Sequence, residues 1–405
     1  MGLPEKLASL ADSPLVKGWG EESIDDRFDL TNTSAIFSAA EWSGLESDWI
    51  PGVIAAARRI HDDKDLHNLF DHVRDGLLIR QNLYEIRSTF PSIVDPLGDL
   101  IGPFYLLIAL SGVDPMRKSH RARGIPDRHS RFTAGDIRVW INEYITRGVP
   151  LDHAFTRPFD PMPVGIHARG LAWTSRSLIE QIVRVERLQF IHAPFRPPFT
   201  IRRRHDGGEI AVVAEKSLWF DASGWRCNDD EKGVFESADP SKGHGTRIAA
   251  NGRALADPID FIASDWETLV GPGDPILEIH IPEDGPMDFA QCGTSFRAAL
   301  ESYTTWYPDR PFRAFSCGSW LLDPQFQDYL SDTSNLVQFQ RASRLFPLTK
   351  GRGRSGLLRI FESDDLPNLP RDTSMRRAYL DHLETGGGWY GAGCVVLPSE
   401  LDQWP

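Results

Sequence analysis

The stretch GDPILEIHIPEDGPM, residues 273–287, decides the fold of the second half of this 405-residue chain. Apolar and polar residues alternate over 276–281, which predicts a β-strand. The proline-containing segment that follows cannot continue a strand, because proline lacks the N–H that a sheet ladder requires. Apolar residues at three- and four-residue steps then predict a helix over 288–306. A strand–turn–helix unit is therefore expected here.

Shorter segments on both sides extend this unit. Most are brief apolar or alternating runs bounded by turn residues, with helical spacing in a few. The strands are predicted at 210–214, 217–220, 312–322, 336–346, 357–361 and 394–397, the helices at 324–330 and 374–384, and a loop at 228–252. Strands that alternate with helices indicate a mixed α/β sheet rather than an all-β sandwich.

The first half of the chain has a different texture. Helical periodicity covers 49–69, 97–110, 136–146 and 175–190, and Thr133 followed by Asp136 resembles a capping-box start. Three prolines between 194 and 198 interrupt regular structure. We therefore predict an α/β (α+β) protein with a helical N-terminal domain, 1–193, and a mixed β-sheet domain, 194–405.

Composition excludes several classes of protein. Hydrophobic residues make up 41% and charged residues 25%, which argues against global disorder. With 44 Lys and Arg against 57 Asp and Glu, the net charge of −13 argues against a general nucleic-acid binder. The four cysteines lack zinc-site or redox spacing, and neither a secretory signal nor a membrane span is evident. A cytoplasmic protein is expected.

The strand at 276–281 carries the leading candidates for chemistry. Side chains alternate along a strand, so Glu278 and His280 share one face while Ile279 and Ile281 share the other. An imidazole beside a carboxylate is a candidate general base. The alternative is a half-buried strand whose polar face meets solvent or a structural hydrogen bond.

Several longer runs resemble a family of bacterial acyltransferase-domain proteins, which have a helical N-terminal domain and a GNAT-like C-terminal domain. The runs that carry this resemblance are GDPILEIHIPEDGPM (273–287), FRAFSCGSWLLDPQFQDYL (312–330), SNLVQFQR (334–341), LPRDTSMRRAYLDHLETGGGWY (369–390), FYLLIALSGV (104–113) and HRARGIP (120–126). The resemblance covers most of the chain. It implies acyl transfer from a thioester, acyl-CoA or acyl carrier protein, to an amine or hydroxyl of a small-molecule or peptide acceptor.

The resemblance also assigns provisional roles. In GNAT enzymes the corresponding strand holds pantetheine through its backbone, which implicates Ile279 and Ile281. The following turn, with Gly285 and Met287, occupies the place of a glycine-rich pyrophosphate loop. This chain departs from that pattern, because the turn has one glycine and two carboxylates that would repel phosphate. A basic excess over 341–377 fits a phosphate-bearing CoA or an acidic carrier protein, and equally an ordinary solvated surface.

Two further residues have candidate catalytic roles. Cys317, beside a glycine in the strand predicted at 312–322, is a candidate acyl-accepting nucleophile, although free cysteines usually only pack. We expect direct attack by the acceptor, without an acyl-cysteine. The resemblance implies that Tyr329 protonates the leaving thiolate; the alternative is aromatic packing. No metal-ligand spacing is present, so no metal is expected.

Two alternatives from other classes stay open. A catalytically inert binding module that kept the GNAT-like fold is favoured by the acidic, proline-bearing turn after the strand. A carbohydrate-active enzyme has support only from the 12 tryptophans.

Overall fold

The computed structural model describes residues 28–79, 94–147, 168–228, 230–349, 354–361 and 368–405. The chain divides into two units. One consists of Met1–Arg184 with Pro282–Asp284, and the other of Val185–Ile281 with Gly285–Pro405. The first unit is helical and the second contains the β-sheets, so the predicted fold class is confirmed.

The helical unit is built around one fully buried helix. Its described helices are α1 Thr33–Trp42, α2 Ile50–His61, α3 Lys64–Leu78, α4 Val94–Leu97, α5 Ile101–Ser111, α6 Val113–Ala122, α7 Asp127–Ala134, α8 Asp136–Arg147 and α9 Ala168–Leu178. Every residue of α5 is buried, because this helix is apolar on all sides. Gly98–Ala122 is long and apolar enough to cross a membrane, but 78% of its most apolar window is buried inside the protein, as in a core helix.

Two local predictions in this unit are wrong. The helix predicted over 49–69 is broken, because Asp63 starts α3 as an N-cap whose carboxylate accepts hydrogen bonds from the N–H groups of Asp65 and Leu66. Thr133 is no cap, since it lies inside α7 and its hydroxyl donates to the carbonyl of His129 at 2.8 Å.

The helix predicted over 175–190 is correct only in its first part. After α9 the chain enters strands β1 (Val183–Val185) and β2 (Leu188–Pro194), and β2 pairs antiparallel with β10 (Pro275–His280). Partners far away in sequence therefore override the local helical spacing. The expected domain boundary at 193/194 falls within β2.

The second unit contains two principal sheets. The further strands are β3 Phe199–Arg204, β4 Ile210–Ala214, β5 Trp219–Phe220, β6 Phe235–Glu236, β7 His244–Ile248, β8 Ile259–Asp260, β9 Trp266–Val270, β11 Ala314–Ser319, β12 Arg344–Pro347 and β13 Ala392–Val396. A six-stranded sheet has the order β1-β2-β10-β11-β13-β12, and a five-stranded sheet has the order β8-β7-β4-β3-β9. The parallel pair β10 and β11 is connected by helix α10 (Phe289–Trp306).

The two faces of the six-stranded sheet differ in what covers them. On one face Phe315 of β11 packs against Phe296 of α10, with ring centroids 5.0 Å apart. On the other face Ile276 and Ala314 belong to an apolar core that also includes Phe199 of the five-stranded sheet. Glu278 and His280 follow Ile276 on this second face, because they lie two and four residues further along the same strand.

Three predictions in this unit are wrong. Residues 336–346 form helix α11 (Asn335–Ala342) and then β12, because Ser334 caps the helix by accepting from the N–H of Val337. Residues 357–361 lie in helix α12 (Arg354–Phe361), and the loop predicted over 228–252 contains β6 and β7. The strands at β10, β11 and β13 and the helices α10 and α13 (Ser374–Glu384) confirm the remaining order.

Candidate active site

Strands β10 and β11 separate part-way along their length. Their parallel pairing ends at Glu278 and Ser316. Beyond that point β10 continues on β2 as far as His280 opposite Gln189, while β11 continues on β13. All residues of both strands are described. The backbone of β10 after Glu278 therefore has one edge that β11 does not cover.

Glu278 and His280 lie side by side at this separation. Their side chains share one face of β10, with Glu278 Oε1 3.4 Å from His280 Nε2. The carboxylate side chain is 44% exposed and the imidazole 27% exposed, whereas Nε2, the ring nitrogen that faces Glu278, is buried. A partly exposed imidazole beside a carboxylate can accept a proton from an attacking nucleophile.

Gln189 is a site residue that sequence reasoning missed. It lies directly opposite His280 in the β2–β10 register, and paired residues of antiparallel strands share a face. Gln189 is buried, unlike most glutamines. The register across two distant segments, rather than any local pattern, reveals this neighbour of the imidazole.

The turn after β10 is held by two arginines. Asp284 makes a bidentate ion pair with Arg184. The guanidinium offsets one of the two negative charges in this turn that would repel phosphate. Gly285 and Pro286 present their carbonyls to the buried guanidinium of Arg187, at 2.6 and 2.8 Å. An added Cβ at Gly285 would meet nothing within 4 Å, so the glycine is not required by a close approach.

The N-terminus of α10 is already capped. Asp288 accepts a hydrogen bond from the N–H of Gln291 at 2.8 Å, and the side chain of Asn335 accepts from the N–H of Phe289 at 3.2 Å. Typical GNAT enzymes place pyrophosphate at this helix end. In this chain two side-chain oxygens occupy donors that phosphate would use.

Met287 connects the turn to an apolar cluster. It is half-buried against a set that includes Phe326, Tyr379 and Trp389. The rings of Phe326 and Trp389 stack with centroids 4.1 Å apart, and Tyr379 stacks on Trp389 at 5.1 Å. Ile279 is buried and Ile281 half-buried. These side chains give the site an apolar border.

Tyr329 lies on the rim of the same cluster. Its ring is 6.4 Å from that of Trp389, and 36% of the residue is exposed. Its hydroxyl lies 3.1 Å from Nδ1 of His382, a residue that sequence reasoning did not single out. Aromatic packing therefore coexists at this residue with partial exposure and with a hydrogen bond from the phenol to an imidazole.

Cys317 has a different environment. It follows Phe315 on the face of the sheet that α10 covers, opposite to the face of Glu278 and His280. Burial raises the pKa of the Cys317 thiol well above its usual value, and nearby Cys394 and Glu278 add to this effect. A protonated, buried thiol is a poor nucleophile, so the geometry disfavours an acyl-cysteine.

Among the described residues, no group of three or more His, Cys, Asp or Glu side chains could hold a metal ion.

Two family profiles match this chain. The profile of the GNAT-like C-terminal domain matches residues 182–396, and the profile of the N-acyltransferase N-terminal domain matches residues 38–148. No curated protein sequence matches.

Solved structures of similar fold are acyltransferases. One, in complex with decanoyl-CoA and teicoplanin, is 18% identical with a TM-score of 0.62, and the match covers 98% of this chain and 99% of that one. A mutant acyltransferase in complex with octanoyl-CoA is also 18% identical, with a TM-score of 0.61 and coverage of 98% and 100%. The likeness in fold extends over both units. This chain therefore belongs to the family of acyltransferases that join an N-acyltransferase N-terminal domain to a GNAT-like C-terminal domain.

Proposed function

We propose that this protein transfers an acyl group from a CoA thioester to an amine or hydroxyl of a small-molecule or peptide acceptor. The observation that carries the proposal is the separation of β10 from β11 beyond Glu278 and Ser316. The part of β10 beyond its pairing with β11 presents N–H and C=O groups in an extended row. The two amides of a pantetheine arm can pair with such a row.

The donor fits the chemistry of the surrounding residues. Ile279 and Ile281 provide the backbone, while Met287 borders the apolar cluster that suits an acyl chain. Arg184 and Arg187 hold the turn where the CoA phosphates would approach, although the capped start of α10 leaves fewer amides for them than a glycine-rich loop. The similar acyltransferase structures contain decanoyl-CoA or octanoyl-CoA, which supports a CoA thioester over a carrier protein.

In the proposed reaction His280 acts as the general base. It removes a proton from the acceptor nitrogen or oxygen as that atom bonds to the thioester carbonyl carbon. Glu278, 3.4 Å away, orients the imidazole and offsets its positive charge once it is protonated. The C–S bond then breaks, and the thiolate leaves with its electron pair and receives a proton from Tyr329.

The acceptor is defined only by class. An attacking atom with a removable proton is needed, so amines and hydroxyls both qualify. A similar structure contains the glycopeptide teicoplanin, which makes glycopeptides and amino sugars reasonable first members of an acceptor panel.

The test is a thiol-release assay with decanoyl-CoA and octanoyl-CoA against pooled amine and hydroxyl acceptors, with products identified by mass spectrometry. His280→Ala is expected to lower kcat about 100-fold or more, and Glu278→Gln about 10-fold, as for loss of a general base and of its partner.

The matched control is His244→Ala. His244 pairs with Asp260 at 3.5 Å on the edge of the five-stranded sheet, and both side chains are exposed. This variant should keep wild-type turnover. Full turnover by both His280→Ala and Glu278→Gln would refute the mechanism, and calorimetry without binding of CoA or any acyl-CoA would favour an inert module.

A further inference from the structure

Tyr329 is the first member of a hydrogen-bonded chain that runs into the loop after α13. Its hydroxyl lies 3.1 Å from Nδ1 of His382, and Nε2 of His382 lies 3.2 Å from the carbonyl oxygen of Gly388. A carbonyl only accepts hydrogen bonds, so Nε2 carries the proton. Nδ1 of the neutral ring is then an acceptor, and Tyr329 is its donor.

The far end of this chain is fixed by buried groups. Gly388 O also accepts from Nε2 of Gln325 at 2.9 Å. One carboxylate oxygen of Asp323, which is fully buried, accepts from the N–H groups of Tyr390 and Gly391 at 2.6 and 3.0 Å. The loop after α13 is thus clamped on both sides of Trp389, and the carbonyl that faces His382 has a set direction.

The imidazole itself has little freedom. Its ring lies 4.5 Å from the Trp389 ring, and a Cβ added at Gly387 would approach the imidazole atoms to 2.4 Å. His382 is buried, whereas Tyr329 is the partly exposed end of the pair. The phenol is therefore the exposed member of the pair, and the imidazole is the buried one.

The charged groups nearby are already engaged or point elsewhere. On α13, Asp381 and Glu384 both pair with Arg371. Asp328, immediately before Tyr329, is exposed. Tyr379, on the same helix as His382, has a pKa raised to about 12 by burial and stays protonated at neutral pH. Asp323 is committed to the loop amides.

We propose that His382 is the positioning residue of Tyr329: it fixes the direction of the phenol and returns the proton that Tyr329 gives to the departing thiolate. The inference rests on the proposed function. When His382 is protonated, Nδ1–H donates to the phenol oxygen, and the phenol O–H is free to face the thiolate. The S–H bond forms as the phenol O–H breaks, and the Nδ1 proton restores the phenol. Neutral His382, which accepts from Tyr329, is the state after this transfer, and one proton from solvent recharges it.

The test compares two donors with the same acyl group. One is decanoyl-CoA, whose alkanethiolate needs a proton to leave, and the other is a decanoyl aryl thioester, whose thiolate leaves as a stable anion. With decanoyl-CoA, Tyr329→Phe should lower kcat about 100-fold and His382→Gln about 10-fold, with KM unchanged. With the aryl thioester, both variants should approach wild-type kcat. The exposed variant His244→Gln is the control.

Equal losses on both donors would show that His382 only supports the fold, and would overturn the inference. Absence of thiol release by the wild-type protein from any thioester would instead refute the proposed function. A second measurement does not depend on turnover. Long-range ¹H–¹⁵N correlation at fixed pH should show the Nε2–H tautomer of neutral His382, with an Nδ1 shift that changes in Tyr329→Phe; the Nδ1–H tautomer would contradict the geometry.

Discussion

Replacement of Asp323 by asparagine tests the clamp that holds the loop after α13. The fully buried carboxylate uses both oxygens: Oδ1 accepts from the backbone N–H of Gln325 at 3.0 Å, and Oδ2 accepts from those of Tyr390 and Gly391. Asparagine has the same shape but only one oxygen. Whichever way its amide turns, an NH₂ group faces backbone donors that previously had an acceptor.

The magnitude follows from the donors that lose this acceptor. If the amide oxygen stays with Gln325, the N–H groups of Tyr390 and Gly391 are left facing another donor. Hydrogen bonds to a charged group contribute about 1.5–3 kcal/mol each. Because bonds in one network are not additive, we take the lower end, and expect Asp323→Asn to reduce the free energy of unfolding by about 3 kcal/mol.

The assay combines a global and a local measurement. Urea unfolding followed by tryptophan fluorescence gives the loss of stability. Hydrogen exchange of the Tyr390 and Gly391 amides gives the loss at the clamp, and about 3 kcal/mol corresponds to an acceleration of about 100-fold. Asp328→Asn is the matched control, because Asp328 is exposed at the end of the same 3₁₀ segment, and its effect should stay within about 0.5 kcal/mol.

The reasoning would be refuted by a specific pattern. If Asp323→Asn and Asp328→Asn unfold at the same urea concentration, and the Tyr390 and Gly391 amides exchange as slowly as in the wild type, the carboxylate does not hold the loop. The orientation of Gly388 toward His382 would then need another cause.

Three further outcomes follow from the same structure. Gly387→Ala should displace the imidazole of His382 and lower the temperature of thermal unfolding, because its Cβ would lie 2.4 Å from the ring. Gly388→Ala should be tolerated, since its Cβ would come no closer than 3.6 Å to the Tyr390 ring. Burial raises the pKa of the Cys317 thiol well above its usual value and keeps the thiol protonated. Cys317→Ala should therefore keep kcat within about threefold of the wild-type value, and the wild-type protein and the variant should show the same rate of rapid iodoacetamide labelling. Burial lowers the pKa of His120 to about 4, whereas the same group in the unfolded chain has a pKa near 6.5 and therefore binds the proton more tightly. The free energy of unfolding should fall by at most about 3 kcal/mol as the pH drops from about 6.5 to 4. Urea titrations at several pH values should show this slope in the wild type and a flatter one in His120→Asn.

Local sequence pattern gave correct predictions where the residues of one element suffice to determine its structure. Alternation along β10 placed Glu278 and His280 on one face, and the structure has their side-chain atoms 3.4 Å apart. Helical spacing predicted α10 and α13, and the all-apolar α5 is the buried core helix of its unit. These features depend on neighbours within a few residues, which the sequence displays directly.

Local sequence pattern gave wrong predictions where residues distant in sequence determine the secondary structure. The helix predicted over 175–190 gives way to β2, because β10, far along the chain, supplies its ladder. The strand predicted over 336–346 is mostly helix α11, capped by Ser334. Single runs of apolar residues fit either element, and the choice depends on what they pack against.

The sequence by itself determined the order of a helical part and a mixed sheet, the shared face of Glu278 and His280, and the resemblance to acyltransferases. Only the tertiary structure decided where β10 and β11 part, that Gln189 lies opposite His280, and that Cys317 is on the covered face. It also brought Tyr329 to His382 across 53 residues of chain. The physical reason is that sequence periodicity determines on which face of its own strand or helix a side chain lies. Strand register and loop closure determine which residues, distant in sequence, that side chain contacts.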